Sequence, residues 1–229
     1  MQYAIIGAGG TGGVMGYFMT KAGKDVTLIA RGRHLEAMKE HGLTLERLWD
    51  PNPETIAVKV TDMEHYKEQP DVILVCVKGY SLKDTVPFIR RVAKPDTIVI
   101  PILNIYGTGA KLQKELPELL VTDGCIYVSA NIKEPGVLLQ HGKILRIVFG
   151  VREKTDWRSE LEEIRQDFTD SAIDGILSEN IRREALEKFS YVSPIGAAGL
   201  YCNAVAGDFQ KEGAPRELFC SMIREIAAL

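Results

Sequence analysis

Residues 3–12 read Tyr3-Ala4-Ile5-Ile6-Gly7-Ala8-Gly9-Gly10-Thr11-Gly12. The apolar run Tyr3 to Ile6, closed by Gly7, predicts a short buried strand, and Thr11 to Ala22 predicts a helix ending near Gly23. The segment between them, Gly7 to Gly12, is G-x-G-x-x-G. Alone this motif is weak; directly after a strand and opening a helix, it carries a physical reading. Gly7 permits the tight turn, Gly9 lets the backbone approach a pyrophosphate, and Gly12 lets helix and strand pack closely. The helix N-terminus then offers free N–H groups and partial positive charge to phosphate oxygens. Gly7, Ala8, Gly9, Gly10, Thr11 and Gly12 are therefore the expected phosphate-binding loop.

Outward from the loop, apolar strands alternate with helices. Strands are expected at Asp25–Ala30, Asp71–Val77, Thr97–Leu103 and Leu119–Thr122, with weaker candidates at Leu43–Leu48 and Thr55–Val60. Helices are expected at His34–His41, Ser81–Ala93 and Lys111–Leu116. Continuous apolar strands separated by helices predict a parallel sheet covered on both faces, the doubly wound α/β class. From Cys125 the texture changes to short strands at Ile126–Ser129, Gly136–Gln140 and Leu145–Phe149, expected to extend the sheet edge. Trp157–Phe168 reads as a helix and Ala172–Leu177 as a last strand. From Glu179 onward only helical patterns remain, with Pro194 expected to kink or end the first. The organisation expected is a Rossmann-like dinucleotide-binding domain over 1–177 and the start of an all-helical domain over 178–229.

The tip of the second strand bears on the choice of cofactor. A fold that binds NAD places an acid there for the ribose 2′-hydroxyl. This chain has Arg31, followed by Gly32, Arg33 and His34. A guanidinium binds a 2′-phosphate through two charge-assisted hydrogen bonds, so the expected cofactor is NADP (NADPH). Lys78 and Asn104 follow two further strands. Ligands of open α/β sheets lie outside the carboxyl ends of the strands, where Gly7, Arg31, Lys78 and Asn104 all fall.

The last helical region holds an anomaly. Ile181 is set at zero on a helix of about 3.6 residues per turn. Ala185 then falls at about +40°, Val192 at about +20°, Phe189 at about +80° and Lys188 at about −20°. Lys188 thus sits in the apolar face, while Arg182, Arg183 and Glu187 point elsewhere. Two readings stand: a proton donor or anion-binding group with a lowered pKa, or a lysine snorkelling from the stripe's edge beside Glu184.

Composition bounds the rest. The 229 residues are 45% hydrophobic and 26% charged with net charge −3, which argues against a nucleic-acid protein held by a general phosphate field. The four cysteines, Cys76, Cys125, Cys202 and Cys220, show no zinc or redox spacing, and no metal site is expected. No apolar run approaches the ~20 residues of a membrane span, and the N-terminus lacks a signal peptide's basic region. A cytoplasmic protein is the expectation.

The chain resembles the 2-dehydropantoate 2-reductase (ketopantoate reductase) family along its whole length. The resemblance rests on G-A-G-G-T-G, on Arg31, on V-K-G-Y at Val77–Tyr80, on Asn104 in L-N-I-Y-G, and on N-I-R-R-E-A-L-E-K-F at Asn180–Phe189. It implies a Rossmann domain followed by a helical domain, and NADPH-dependent reduction of ketopantoate to pantoate on the route to pantothenate and coenzyme A. It further implies that Lys188 is the catalytic general acid, that Asn104 lies at the nicotinamide and substrate, and that Arg31 and Lys78 hold the 2′-phosphate. Two positions depart from the family pattern. Val192 replaces an asparagine one turn after the lysine, and Ile105-Tyr106 separate Asn104 from Gly107. A related 2-oxo acid substrate, or a non-catalytic NADP-binding module, are the alternatives. The sequence also closes on an amphipathic pattern, S-M-I-R-E-I-A-A-L, which leads us to expect an incomplete helical domain, with a homodimer through its apolar faces a further expectation.

Overall fold

The computed structural model describes residues 1–228. Its chain begins β1 (Gln2–Ile6), α1 (Gly10–Lys21), β2 (Asp25–Ile29), α2 (Gly32–His41), β3 (Leu43–Arg47), β4 (Asp50–Ile56), β5 (Lys59–Thr61) and β6 (Val72–Val75). It continues α3 (Leu82–Val92), β7 (Ile98–Pro101), α4 (Thr108–Glu115), β8 (Leu120–Val121), β9 (Asp123–Tyr127), β10 (Ala130–Glu134) and β11 (Val137–Gln140). The remainder is β12 (Arg146–Gly150), α5 (Glu160–Asp170), β13 (Asp174–Leu177), α6 (Ile181–Cys202) and α7 (Ala214–Ala227).

Six strands form the main sheet in the order β5-β2-β1-β6-β7-β8, every pair parallel. This is the Rossmann order, with β1 at the centre and the chain reversing direction across the sheet at β1 and β6. Side chains alternate along each strand. Tyr3, Ile5, Leu28, Val72, Leu74, Ile98 and Ile100 enter one apolar layer, while Ala4, Ile6, Ile29, Ile73, Val75 and Val99 enter the other. The second layer is closed by Val86, Phe88, Ile89 and Val92 of α3. The first receives α1, then Leu161, Ile164 and Phe168 of α5. Burial on both faces is why these strands read as unbroken apolar runs.

Two expectations are corrected and a third is narrowed. The strands after Cys125 do not extend the main sheet. β9 pairs with β12, and β12 with β13, in a separate three-stranded sheet. The chain leaves the main sheet just after Thr122, whose N–H still reaches Val99 O. There the Asp123 carboxylate accepts the Gly109 N–H at 2.9 Å and lies 3.5 Å from Arg152. The candidate strand Thr55–Val60 splits: Ile56 ends β4 of a third sheet, β10-β11-β3-β4, and Lys59 begins the edge strand of the main one. Pro194 does not end its helix. α6 runs through it for 22 residues, with the ring buried, although an interior proline costs about 3 kcal/mol.

Past Leu177 the described chain is helices, turns and short connections. Asn180 caps α6, its side chain accepting the Arg183 N–H at 3.3 Å. Tyr191 of α6 meets Phe219 of α7 with ring centroids 5.8 Å apart, and Phe209 of the connection between the helices packs on Phe219 at 5.3 Å. Leu200, Tyr201 and Val205 stay largely exposed. Among the described residues no helix is long and apolar enough to cross a membrane.

Candidate functional site

The strand order places the sequence-predicted residues along one edge. Arg31 follows β2, the glycine loop follows β1, Lys78 follows β6 and Asn104 follows β7. These four strands are consecutive neighbours in the sheet. At about 4.8 Å per strand, three steps span roughly 14 Å.

The glycines divide into two kinds. Gly7 has φ +98°, a conformation that L side chains rarely adopt. A Cβ on Gly12 would lie 2.3 Å from Gly7 O and 2.9 Å from Cys76 Cβ, so this glycine sets the helix–strand distance. A Cβ on Gly10 would strike Ala130 O at 2.2 Å. Around Gly9 there is nothing within 4 Å. Two glycines are therefore required by the protein's own packing, while Gly9 faces open space. α1 begins there with no side-chain cap and no acidic residue in its first turn. An uncapped helix N-terminus behind an open glycine suits an anionic ligand. Arg31 and Lys78 are exposed and, among the described residues, have no ion pair or side-chain hydrogen bond. The loop and helix N-terminus thus fit the phosphates of a dinucleotide, with two unpaired cations at the same edge.

At the other end, Lys188 leaves α6 and donates to Asn104 Oδ1 at 2.5 Å. Among the described residues Lys188 forms no ion pair with Glu184, and it is buried rather than snorkelling to the surface. Lys188 is 8% exposed. Burial pushes its pKa below the usual 10.5. Its Nζ stands 5.5 Å from the centroid of the Tyr127 ring. A cation over an aromatic face gains about 0.5–2 kcal/mol, which offsets part of the desolvation. The walls around the pair are Leu103, Ile105, Tyr106, Phe189 and Val192, with Cys125 below. Arg182 and Arg183 point outward, onto Glu153 and Glu187.

Sequence reasoning missed Tyr127, His34 and the strand β10. Tyr127 lay inside an expected strand, yet strand alternation does not say which helix covers it. β10 is exposed beyond its first residue, and its apolar signal is only the alternate pair Ala130 and Ile132. Its backbone nevertheless abuts Gly10.

The fold and site together define a Rossmann-type dinucleotide fold continued by helices. Residues 3–154 match the family model described as ketopantoate reductase PanE/ApbA, and the chain belongs to that family. It is 33% identical over 201 residues to a 2-dehydropantoate 2-reductase of Pyrococcus horikoshii, covering 86% of this chain and 64% of that protein. It is 24% identical to the uncharacterized oxidoreductase YkpB of Bacillus subtilis, covering 84% and 62%. The chain thus spans less than two thirds of the length of these relatives. Among solved structures, the 2-dehydropantoate 2-reductase of Porphyromonas gingivalis superposes with TM-score 0.88 at 26% identity, over 100% of this chain and 80% of that one. D-mandelate dehydrogenase, solved with NADH and anilino(oxo)acetate, shares the fold with TM-score 0.89 at 20% identity, over 100% and 73%.

Proposed function

We propose that the protein catalyses NADPH-dependent reduction of 2-dehydropantoate to pantoate. Residues 1–177 are assigned to the dinucleotide and 178–229 to a helical domain that delivers the proton donor. The observation that carries the reading is the Lys188–Asn104 pair, seated where a strand end of the dinucleotide sheet meets α6.

In this reading the glycine loop and the α1 N-terminus hold the pyrophosphate, and Arg31 with Lys78 hold the 2′-phosphate. A nicotinamide held there would supply the hydride for the substrate's carbonyl carbon. Asn104 fixes the direction of the Lys188 ammonium. Lys188 Nζ stabilises the charge growing on the carbonyl oxygen and gives it a proton, yielding the hydroxyl. The lowered pKa makes that proton easier to release.

A related 2-oxo acid is the second reading, favoured by the apolar wall of Ile105, Tyr106, Phe189 and Val192 around the pair. The test is NADPH oxidation, followed by absorbance, with 2-dehydropantoate and with 2-oxoisovalerate. Turnover of the first supports the main reading; turnover of the second alone supports the alternative. NADPH binding without turnover of any 2-oxo acid makes the chain a binding module and rejects both.

A further inference from the structure

His34, in the first turn of α2, is a half-buried titratable group that the proposed chemistry does not use. Its ring lies between two main-chain segments distant in sequence. Nδ1 accepts the Gly136 N–H at 3.0 Å, and Nε2 lies 2.8 Å from Ala8 O. A main-chain N–H can only donate, so Nδ1 carries no proton. The neutral ring therefore bears its hydrogen on Nε2 and donates it to the Ala8 carbonyl. Ala8 is inside the glycine loop. Gly136 is in the turn joining β10 to β11, with φ +80°. Ala130, the first residue of β10, is pressed against Gly10. The β10–β11 hairpin thus holds the loop at two points, by contact at Gly10 and through the imidazole at Ala8.

We propose that His34 is a positioning residue for the dinucleotide: the neutral imidazole straps the glycine loop to the hairpin and fixes the Ala8–Gly9 peptide, and with it the N–H groups offered to the phosphates. This rests on reading the loop as a dinucleotide site. The strap exists only in the neutral form, because a proton on Nδ1 would face the Gly136 N–H, donor against donor. Burial holds the pKa of His34 below its usual 6.5, against the opposing pull of the Ala8 carbonyl. The charged and titratable groups on the elements packed against it are Arg31, Arg33, Glu36, Lys39, Glu40 and His41 on and at the start of its own helix and Lys133 and Glu134 on the hairpin. All are exposed, and none is bonded to the ring; Lys133 is paired with Glu46. The glycine loop brings no charge. The neutral form predominates above pH 6.5, and the strap is lost as pH falls from there through the lowered value.

The experiment titrates NADPH into the wild-type chain, His34→Ala and His34→Gln from about pH 7.5 down to about pH 4.5, through and below the ordinary imidazole range, by cofactor fluorescence. Amide hydrogen exchange over residues 8–12 is followed without NADPH, and circular dichroism checks the fold. Glutamine can accept and donate through its amide but does not titrate. His34→Ala is expected to weaken NADPH about tenfold at the higher pH, the value of one hydrogen-bonding link, and to speed loop exchange with the fold intact. His34→Gln is expected to recover most of the affinity and to lose less of it than the wild type at the lower pH. Since the 2′-phosphate also titrates, the difference between the two proteins is the readout. Wild-type affinity and loop exchange in His34→Ala overturn the proposal, as does a His34→Gln variant with the wild-type pH dependence. If His34→Ala does not fold, the glutamine comparison decides alone. A wild-type chain that binds no NADPH refutes the dinucleotide reading itself, which is a distinct result from a chain that binds it equally with and without the imidazole.

Discussion

Lys188 and Asn104 lie 84 positions apart in sequence and meet in one 2.5 Å hydrogen bond. The lysine has no carboxylate partner among the described residues, so its charge is held by an amide oxygen and an aromatic face. That arrangement favours proton release over a permanent ion pair. Replacing Lys188 with alanine is expected to lower kcat for ketopantoate reduction about a hundredfold or more, the scale of a lost general acid. The affinity for NADPH, measured by fluorescence, is expected to stay near wild type.

As the proposed proton donor, the same lysine predicts a pH dependence. Only its protonated form can donate, so kcat is present at lower pH and lost as pH rises through the lysine's value. Burial places that value below 10.5. The alkaline limb of the kcat profile is therefore expected to fall below that of an exposed lysine. It is expected to vanish in Lys188→Ala, whose residual rate is flat over the same range. A wild-type profile without an alkaline limb below pH 10.5 would remove Lys188 from the proton transfer.

Cofactor choice is tested at the tip of β2. Arg31→Asp puts a carboxylate where the 2′-phosphate is expected and is predicted to weaken NADPH more than about tenfold while improving NADH. Lys78→Ala is predicted to weaken NADPH with little effect on NADH. Comparable NADH and NADPH dissociation constants in the parent protein would contradict the assignment of Arg31.

Two adjacent glycines should give opposite phenotypes. Gly10→Ala drives a methyl group to within 2.2 Å of Ala130 O, and is expected to cost about 1–3 kcal/mol in a denaturant titration. Gly9→Ala meets nothing within 4 Å. It is expected to leave the denaturation midpoint nearly unchanged and to weaken NADPH by filling the space proposed for its phosphates.

A structural control lies far from the site. The buried Tyr3 hydroxyl donates to Asp167 Oδ2 at 2.6 Å, tying β1 to α5, and Lys24 holds the same carboxylate at 2.7 Å. Tyr3→Phe is expected to cost about 1 kcal/mol of stability, since the carboxylate keeps the lysine. NADPH affinity should not move.

The strands that carry the site were legible because both their faces are buried, so each stands out as an unbroken apolar run. The glycine loop was legible for the same reason, with a strand and a helix bracketing it. Lys188 stood out because one charge on an apolar helical face is an anomaly that periodicity exposes. Its partner did not follow from periodicity, since Asn104 and Tyr127 lie on other elements. β10 was hard to see because only Ala130 packs on the core while Asn131 to Glu134 are exposed, and it is the ladder with β11 that holds the strand against Gly10. The departure of β9 from the main sheet was equally hidden, since it turns on Asp123 bonding to Gly109 and Arg152, which are close only once folded.

α6 enters from Ile181 and carries Lys188 seven residues along, about 10 Å from its start at about 1.5 Å per residue. Its far end at Cys202 is about 31 Å from the same point. Treated as a rigid rod pivoting at Ile181, a tilt of about 3° swings Lys188 by about half an ångström and Cys202 by about three times as much. Leu200 and Tyr201 ride on that distal end. The helix is thus a lever with a threefold reduction: whatever seats its exposed tip sets the aim of the lysine to a fraction of the error at the tip.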